Sequence, residues 1–568
     1  MALKLPSNSK EMQNWKWGDY EPFFEYLLNQ EIDKTNINSW MKYWSDFSEL
    51  IGEVGTDVYV ATTVDTADED AKNRFNTFLE NVSENASSKN QILRKKLLES
   101  GCVPDNFEIP LRSIKSDVEL FREDNLPLMT NDSKLSKEYD AIIGAQTVEW
   151  EGKEITITQL GPVLLETNRE RREKAWRLAS QRRLKDRSKI NEVWKKTLQV
   201  RIDIAKNADH DNYRSWRWEY LNRFDYTPED CLNFHSAIEK VVMPFVKKLI
   251  KKRKDELRLD ILKPWDLSVD SLNRAPLKPF KDAAELEEKC HNIFNAVDSE
   301  LGNHFKIMRE EKLLDLANRK GKAPGGYCTE YYHRRVPFIF MNAVGTHNDV
   351  QTMLHEGGHA FHVFESNKLP YSAQRDVGME FAEVASMSME LLSAPYLTKE
   401  YGGFYEEDEA KRARIEHLEK TIMFLPYMAV VDAFQHWVYT NPEKAMIPNN
   451  CDIKWTELWN RFQVYDDLDS SEFEDVIATG WHNKLHLFHV PFYYVEYGMA
   501  QLGAIQVWGN ALENQKEAVR QYRHALSLGG NATLPDLFEA AGAKFEFGED
   551  MLQYAIDLVE TNLRELNA

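Results

Sequence analysis

The sequence predicts a mainly α-helical protein with a small β-sheet beside one helix that carries paired histidines. Three observations predict it. Apolar residues recur every three or four positions through long charged stretches, the spacing of one helix face. Strand patterns are few, confined to "EITITQL" (154–160) and "VPFIFMNAV" (336–344). Finally, HEGGH (355–359) sets two histidines four residues apart, and these share a side only if the segment is helical.

The chain to about residue 170 is expected to form an N-terminal helical lobe (1–170), with 171–568 as the site-bearing region; no shift in composition marks the boundary. From 168 to 206 the helical period is unbroken. "TPEDCLNF" opens a further helix with Thr227 as N-cap and Glu229 and Asp230 in its first turn. "APGGYC" (323–328) is a turn signal. The run after it begins at a proline, which suits an edge or first-strand position. From "WTELWNRF" onward the helical character returns.

At 568 residues the chain can bury a large core. A formal net charge of −21 disfavours nucleic acid, whose binding depends on neutralising phosphates. No apolar run approaches the roughly 18–20 residues of a membrane span, and the first residues lack the apolar centre of a secretory signal. The five cysteines (102, 231, 290, 328, 451) form no CxxC pair, which argues against a disulfide framework. The expectation is a cytoplasmic protein with reduced thiols and no membrane or nucleic-acid partner, as a monomer or a dimer.

On a helix, His355 and His359 project together and can share one metal, while Glu356 can reach a water beside it. Thr346, Asn348 and Asp349 provide capping residues for such a helix. HExxH alone arises by chance at roughly a few per cent frequency, and two glycines inside a helix cost about 1 kcal/mol each relative to alanine. A third ligand is therefore needed. "GMEFAEVASMSMELLSAPYL" (378–397) supplies one: Glu380, Glu383, Met387 and Glu390 share a face of an otherwise apolar helix with no basic residue, ended by Pro395. Carboxylates there must be paired, protonated or bound to metal. Taken alone, a surface stripe is as good a reading; after HEGGH the ligand reading prevails. Glu383 is the expected ligand, with Glu380 and Glu390 as partners of the ligand histidines. His362 reads as a satisfied histidine one turn on, because a catalytic zinc keeps a position for water.

A second polar-aromatic stretch, from Trp481, holds His482, His486, His489, Tyr493, Tyr494 and Tyr497. Tyrosine or histidine donors near a zinc stabilise the negative charge that peptide hydrolysis builds on the carbonyl oxygen. Spacing alone does not say which of these point inward.

Together these stretches resemble the thimet oligopeptidase family of zinc peptidases, most closely its oligoendopeptidase F branch. HEGGH matches the family's HExGH, "EFAEVAS" is similar to the element bearing its glutamate ligand, and "HLFHVPFYYVEYG" is similar to its tyrosine-rich segment. The likeness runs from about Leu160 to Leu558. It implies a two-lobed helical clamshell around a deep substrate channel, with one Zn2+ per chain on His355, His359 and Glu383. It also implies Glu356 as general base and Glu390 as the further glutamate. The oxyanion donors would be Tyr497, His486 and either Tyr493 or Tyr494. The substrates implied are short unstructured peptides, cut internally. Substrate backbone is expected on the "PFIFMNAV" strand or at Gly325 and Gly326 of the turn. One alternative is a metallocarboxypeptidase or dipeptidyl carboxypeptidase, which needs a cation for the substrate carboxylate, for which Arg334 and Arg335 are candidates. The other is a catalytically inactive helical peptide-binding protein.

Overall fold

Helix ends fall where capping chemistry sits. The Thr227 hydroxyl accepts the Asp230 N–H, the Asp230 carboxylate accepts the Thr227 N–H, and Pro228 occupies the first helical position of Pro228–Ala237. Thr346 and Asp349 form the same reciprocal box at the start of His347–Ser366. The periodic stretch 168–206 is two helices, Arg169–Leu184 and Arg187–Asn207. Between them the buried Asp186 carboxylate accepts from Arg182 and Gln146.

This computed structural model describes residues 3–66, 68–319, 322–323 and 325–567. It is mainly helical, with two small sheets. β1 (Thr147–Trp150) and β2 (Lys153–Thr156) form an antiparallel hairpin. β3 (Leu314–Ala317), β4 (Tyr327–Tyr331) and β5 (Val336–Ala343) form a sheet of order β3-β5-β4, with β3 parallel and β4 antiparallel to β5. Of the edge or first-strand position expected for the proline of the 336–344 strand, the second describes it: β5 is the central strand, and Pro337 stands at its start. Its proline is tolerated because the Ile339 N–H points to the Leu313 carbonyl, so the Pro337 nitrogen faces that same side before the pairing with β3 begins at Leu314. No helix among the described residues is long and apolar enough to cross a membrane.

The chain divides into two compact units, each built from separated segments. The first comprises Met1–Glu123, Lys278–Ala410 and Gly503–Phe545; the second comprises Asp124–Leu277, Lys411–Leu502 and Glu546–Ala568. These are not the consecutive stretches 1–170 and 171–568 expected from the sequence. Residues to Glu123 belong with the HEGGH helix because the Ile37–Val64 helix packs on β4: the Thr56 hydroxyl donates to the Glu330 carbonyl, and the buried Glu53 and Glu49 carboxylates bind Arg334 and Arg335.

Within the second unit, Arg201 is wholly buried. Its guanidinium binds Asp132, the Tyr439 hydroxyl and the Leu487 and Phe488 carbonyls. That fixes the short helix Leu485–His489. Arg223 binds the Phe492 carbonyl and Glu496, fixing the start of Tyr494–Leu528.

Candidate metal centre

The HEGGH segment lies in the middle of His347–Ser366, facing the helix Met379–Ser393. The two glycines explain how closely. A Cβ on Gly358 would sit 2.5 Å from the Ala385 carbonyl oxygen and the Ser386 Cα, and a Cβ on Gly357 would sit 2.5 Å from the Phe294 ring. Gly358 thus lets two helix backbones touch, and Gly357 gives room to a core aromatic ring.

That approach brings His355, His359 and Glu383 together, their ligand atoms all within 4.8 Å of one another. Glu383 Oε2 is 3.3 Å from His355 Nε2 and 3.8 Å from His359 Nε2. The Ser386 hydroxyl donates to the same carboxylate oxygen at 2.9 Å. His355 Nδ1 lies 2.7 Å from Glu390 Oε1. The His359 ring donates to the Ala382 backbone carbonyl. Each histidine is therefore oriented through a second contact while Nε2 faces Glu383, an arrangement that suits a metal. Glu380, also expected beside the ligand histidines, lies buried one turn before Glu383.

The electrostatics follow. Burial pushes His355 down, but Glu383 and Glu390 on either side outweigh it and hold the imidazole well above its usual range. His359 is pushed down to about 4 by burial despite Glu383. Burial, aided by Glu383 and Glu390, raises the Glu356 carboxyl to about 7 against the pull of His355. The Cys328 N–H of β4 hydrogen-bonds that carboxylate. His362 is buried and pushed down to about 3; it is not part of the convergent set. Two histidines, one carboxylate and an adjacent carboxylic acid of raised pKa fit a divalent cation of the zinc type.

The turn before β4 is shaped by Gly325, at φ +92°, and its carbonyl accepts from Asn342 Nδ2. A Cβ on Gly326 would sit 3.3 Å from the Phe340 carbonyl oxygen. Pro324 of the expected turn lies outside the described residues. Arg334 and Arg335 are engaged by Glu53 and Glu49, and Arg335 also donates to the Asn367 carbonyl.

In the second unit, the rings of His486, Tyr493, Tyr494 and Tyr497 gather, with centroids 5.0–6.0 Å apart. Tyr494 is buried, with its hydroxyl 3.3 Å from Lys484 Nζ; Tyr493, Tyr497 and His486 are half-buried. His489 packs on Tyr139, and His482 is held by Asn191 at 2.8 Å. Sequence reasoning missed two contributors: the Cys328 amide and the Ala382 carbonyl. Both act through backbone and leave no trace in residue type.

The sequence profile of peptidase family M3 matches residues 163–555. The chain belongs to peptidase family M3. Over 361 residues it is 25% identical to oligopeptidase PepF of Bacillus subtilis (strain 168), covering 62% of this chain and 51% of that one. Over 433 residues it is 24% identical to the chromosomal oligoendopeptidase F of Lactococcus lactis subsp. cremoris, covering 73% of this chain and 67% of that one. The match thus spans about half to two thirds of the length of these curated relatives. A solved structure of PZ peptidase A with inhibitor 2 superposes with a TM-score of 0.88 at 25% identity, covering 99% of this chain and 98% of that one. This M3 chain therefore shares its fold with that solved structure over nearly its whole length.

Proposed function

We propose that this chain is a zinc-dependent oligopeptidase that hydrolyses internal bonds of short unstructured peptides. The observation that carries the reading is the convergence of His355, His359 and Glu383 beside the buried Glu356, in a chain of peptidase family M3. Zinc held by those three residues would supply a Lewis acid for the scissile carbonyl and lower the pKa of water at the site. Glu356 takes the proton of the attacking water and returns it to the leaving amine; a carboxyl raised to about 7 is suited to both. Glu390 and the Ala382 carbonyl keep the two imidazoles turned toward Glu383.

Substrate backbone is assigned to β4 rather than β5, because β5 has a neighbour on both sides whereas β4 is an edge strand whose Cys328 N–H already reaches Glu356. Tyr497 and His486 are assigned as oxyanion donors on the family likeness and on their place in a half-exposed ring cluster. The engagement of Arg334 and Arg335 by buried carboxylates favours internal cleavage over carboxypeptidase action. The complete set of ligands and base counts against an inactive binding protein.

The test is digestion of a peptide blocked at both ends, followed by mass spectrometry with and without chelator. Internal cleavage that stops with chelator and returns with Zn2+ is expected. Cleavage confined to peptides with a free C-terminus would overturn the endopeptidase reading, and chelator-resistant cleavage would overturn the zinc one.

A further inference from the structure

A buried cluster in the second unit carries metal-binding chemistry of its own. Cys231 and His235 lie four apart on Pro228–Ala237, and Asp432 and His436 lie four apart on Glu407–Thr440. Each helix thus presents a pair on one face. All four residues are at most 3% exposed. The ligand atoms of Cys231, Asp432 and His436 lie within 4.8 Å of one another. Asp432 Oδ2 is 2.9 Å from His235 Nε2 and 3.2 Å from His436 Nε2. Asp432 Oδ1, buried, makes no hydrogen bond among the described residues.

We propose that Cys231, Asp432 and His436 form a second metal site, for Zn2+ or a similar divalent cation, with His235 orienting the Asp432 carboxylate. A thiol, an imidazole and a carboxylate are a zinc donor set. Two i, i+4 pairs on facing helices are a way of joining those helices through one ion. A charge buried this deeply needs an opposite charge or a metal. His436 Nδ1 is 3.3 Å from the half-buried Arg214. With no ligand open to solvent, the site is structural: it staples Pro228–Ala237 to Glu407–Thr440.

The thiol separates this site from the His355 centre, which has no cysteine ligand. The experiment is Co2+ loading of the full-length His355→Ala chain, together with zinc analysis of the wild-type protein. A near-ultraviolet thiolate-to-cobalt charge-transfer band is expected, lost on adding Cys231→Ser, with two zinc equivalents per wild-type chain and one in either single variant. Should Cys231→Ser fail to fold, the band in His355→Ala decides alone. One wild-type equivalent that disappears with His355→Ala, and no thiolate band, would overturn the proposal. One equivalent that survives His355→Ala and disappears with Cys231→Ser would support this site while refuting the proposed His355 centre, so the two readings fail separately.

Discussion

The two clusters of potential metal ligands use one device and differ most in their access to solvent. Each takes a pair four residues apart on one helix and completes it from a second. His355 and His359 keep about a fifth of their side-chain surface exposed, with Glu383 buried behind them. Cys231, His235, Asp432 and His436 are closed to solvent. The difference teaches that spacing selects for metal binding, whereas access selects for chemistry: a centre that must meet substrate keeps an open side, and one that joins helices has no need of it. The Glu356 carboxyl, next to the open centre, has no counterpart at the closed one.

The comparison breaks most visibly at Glu356. Glu356→Gln is expected to lower kcat by about 10²–10⁴-fold, the range of general acid–base catalysis, while zinc content stays unchanged; turnover near the wild-type rate would remove the base assignment. Glu390→Gln comes next. It is expected to weaken zinc affinity at the open centre by about 10–100-fold, measured by chelator competition, and to leave any metal at Cys231 untouched.

The glycines of HEGGH give a smaller effect. Gly358→Ala sets a methyl group against a helix backbone, and overpacking of that kind costs about 1–3 kcal/mol. Gly357→Ala meets only the Phe294 ring, which can shift. Thermal unfolding should therefore rank Gly358→Ala below Gly357→Ala, and Gly358→Leu should lose more activity than either. The opposite order would show that the glycines serve something other than helix approach. The mildest test is pH. The general base must be ionised, so kcat/KM should fall as pH drops through the Glu356 titration. Burial raises that carboxyl from 4.5 to about 7, and a bound cation pulls it back down, so the acidic limb should lie between those values. A flat profile across that interval would exclude Glu356.

Much of the open centre was legible because it is local. His355, Glu356 and His359 are one turn of helix, Thr346 and Asp349 write its start, and the carboxylates of 380–390 stand out on an apolar helix. The closed cluster was not legible. Cys231 and His436 are separated by about two hundred residues, and "CLNFH" and "DAFQH" taken singly are ordinary core helix faces. The sheet order was not legible for a related reason: Pro337 signals an unpaired backbone nitrogen, and only the start of β3 at Leu314 shows that the vacant side is local to the strand's first residues. The units were hidden because contiguity in sequence says nothing about which segments return to pack together.

By itself, then, the sequence determined the helical class and the HEGGH helix with its cap, and it marked His355, His359 and Glu383 as residues that could converge, since these rest on periodicity and fixed spacing. The tertiary structure alone decided that Glu390 and a backbone carbonyl hold the imidazoles, that Gly358 admits a second helix backbone, that Arg334 and Arg335 are bound by carboxylates, and that four residues of two distant helices meet. Those facts depend on packing between segments far apart in the chain, where side-chain volume and buried charge, not local pattern, select the partner.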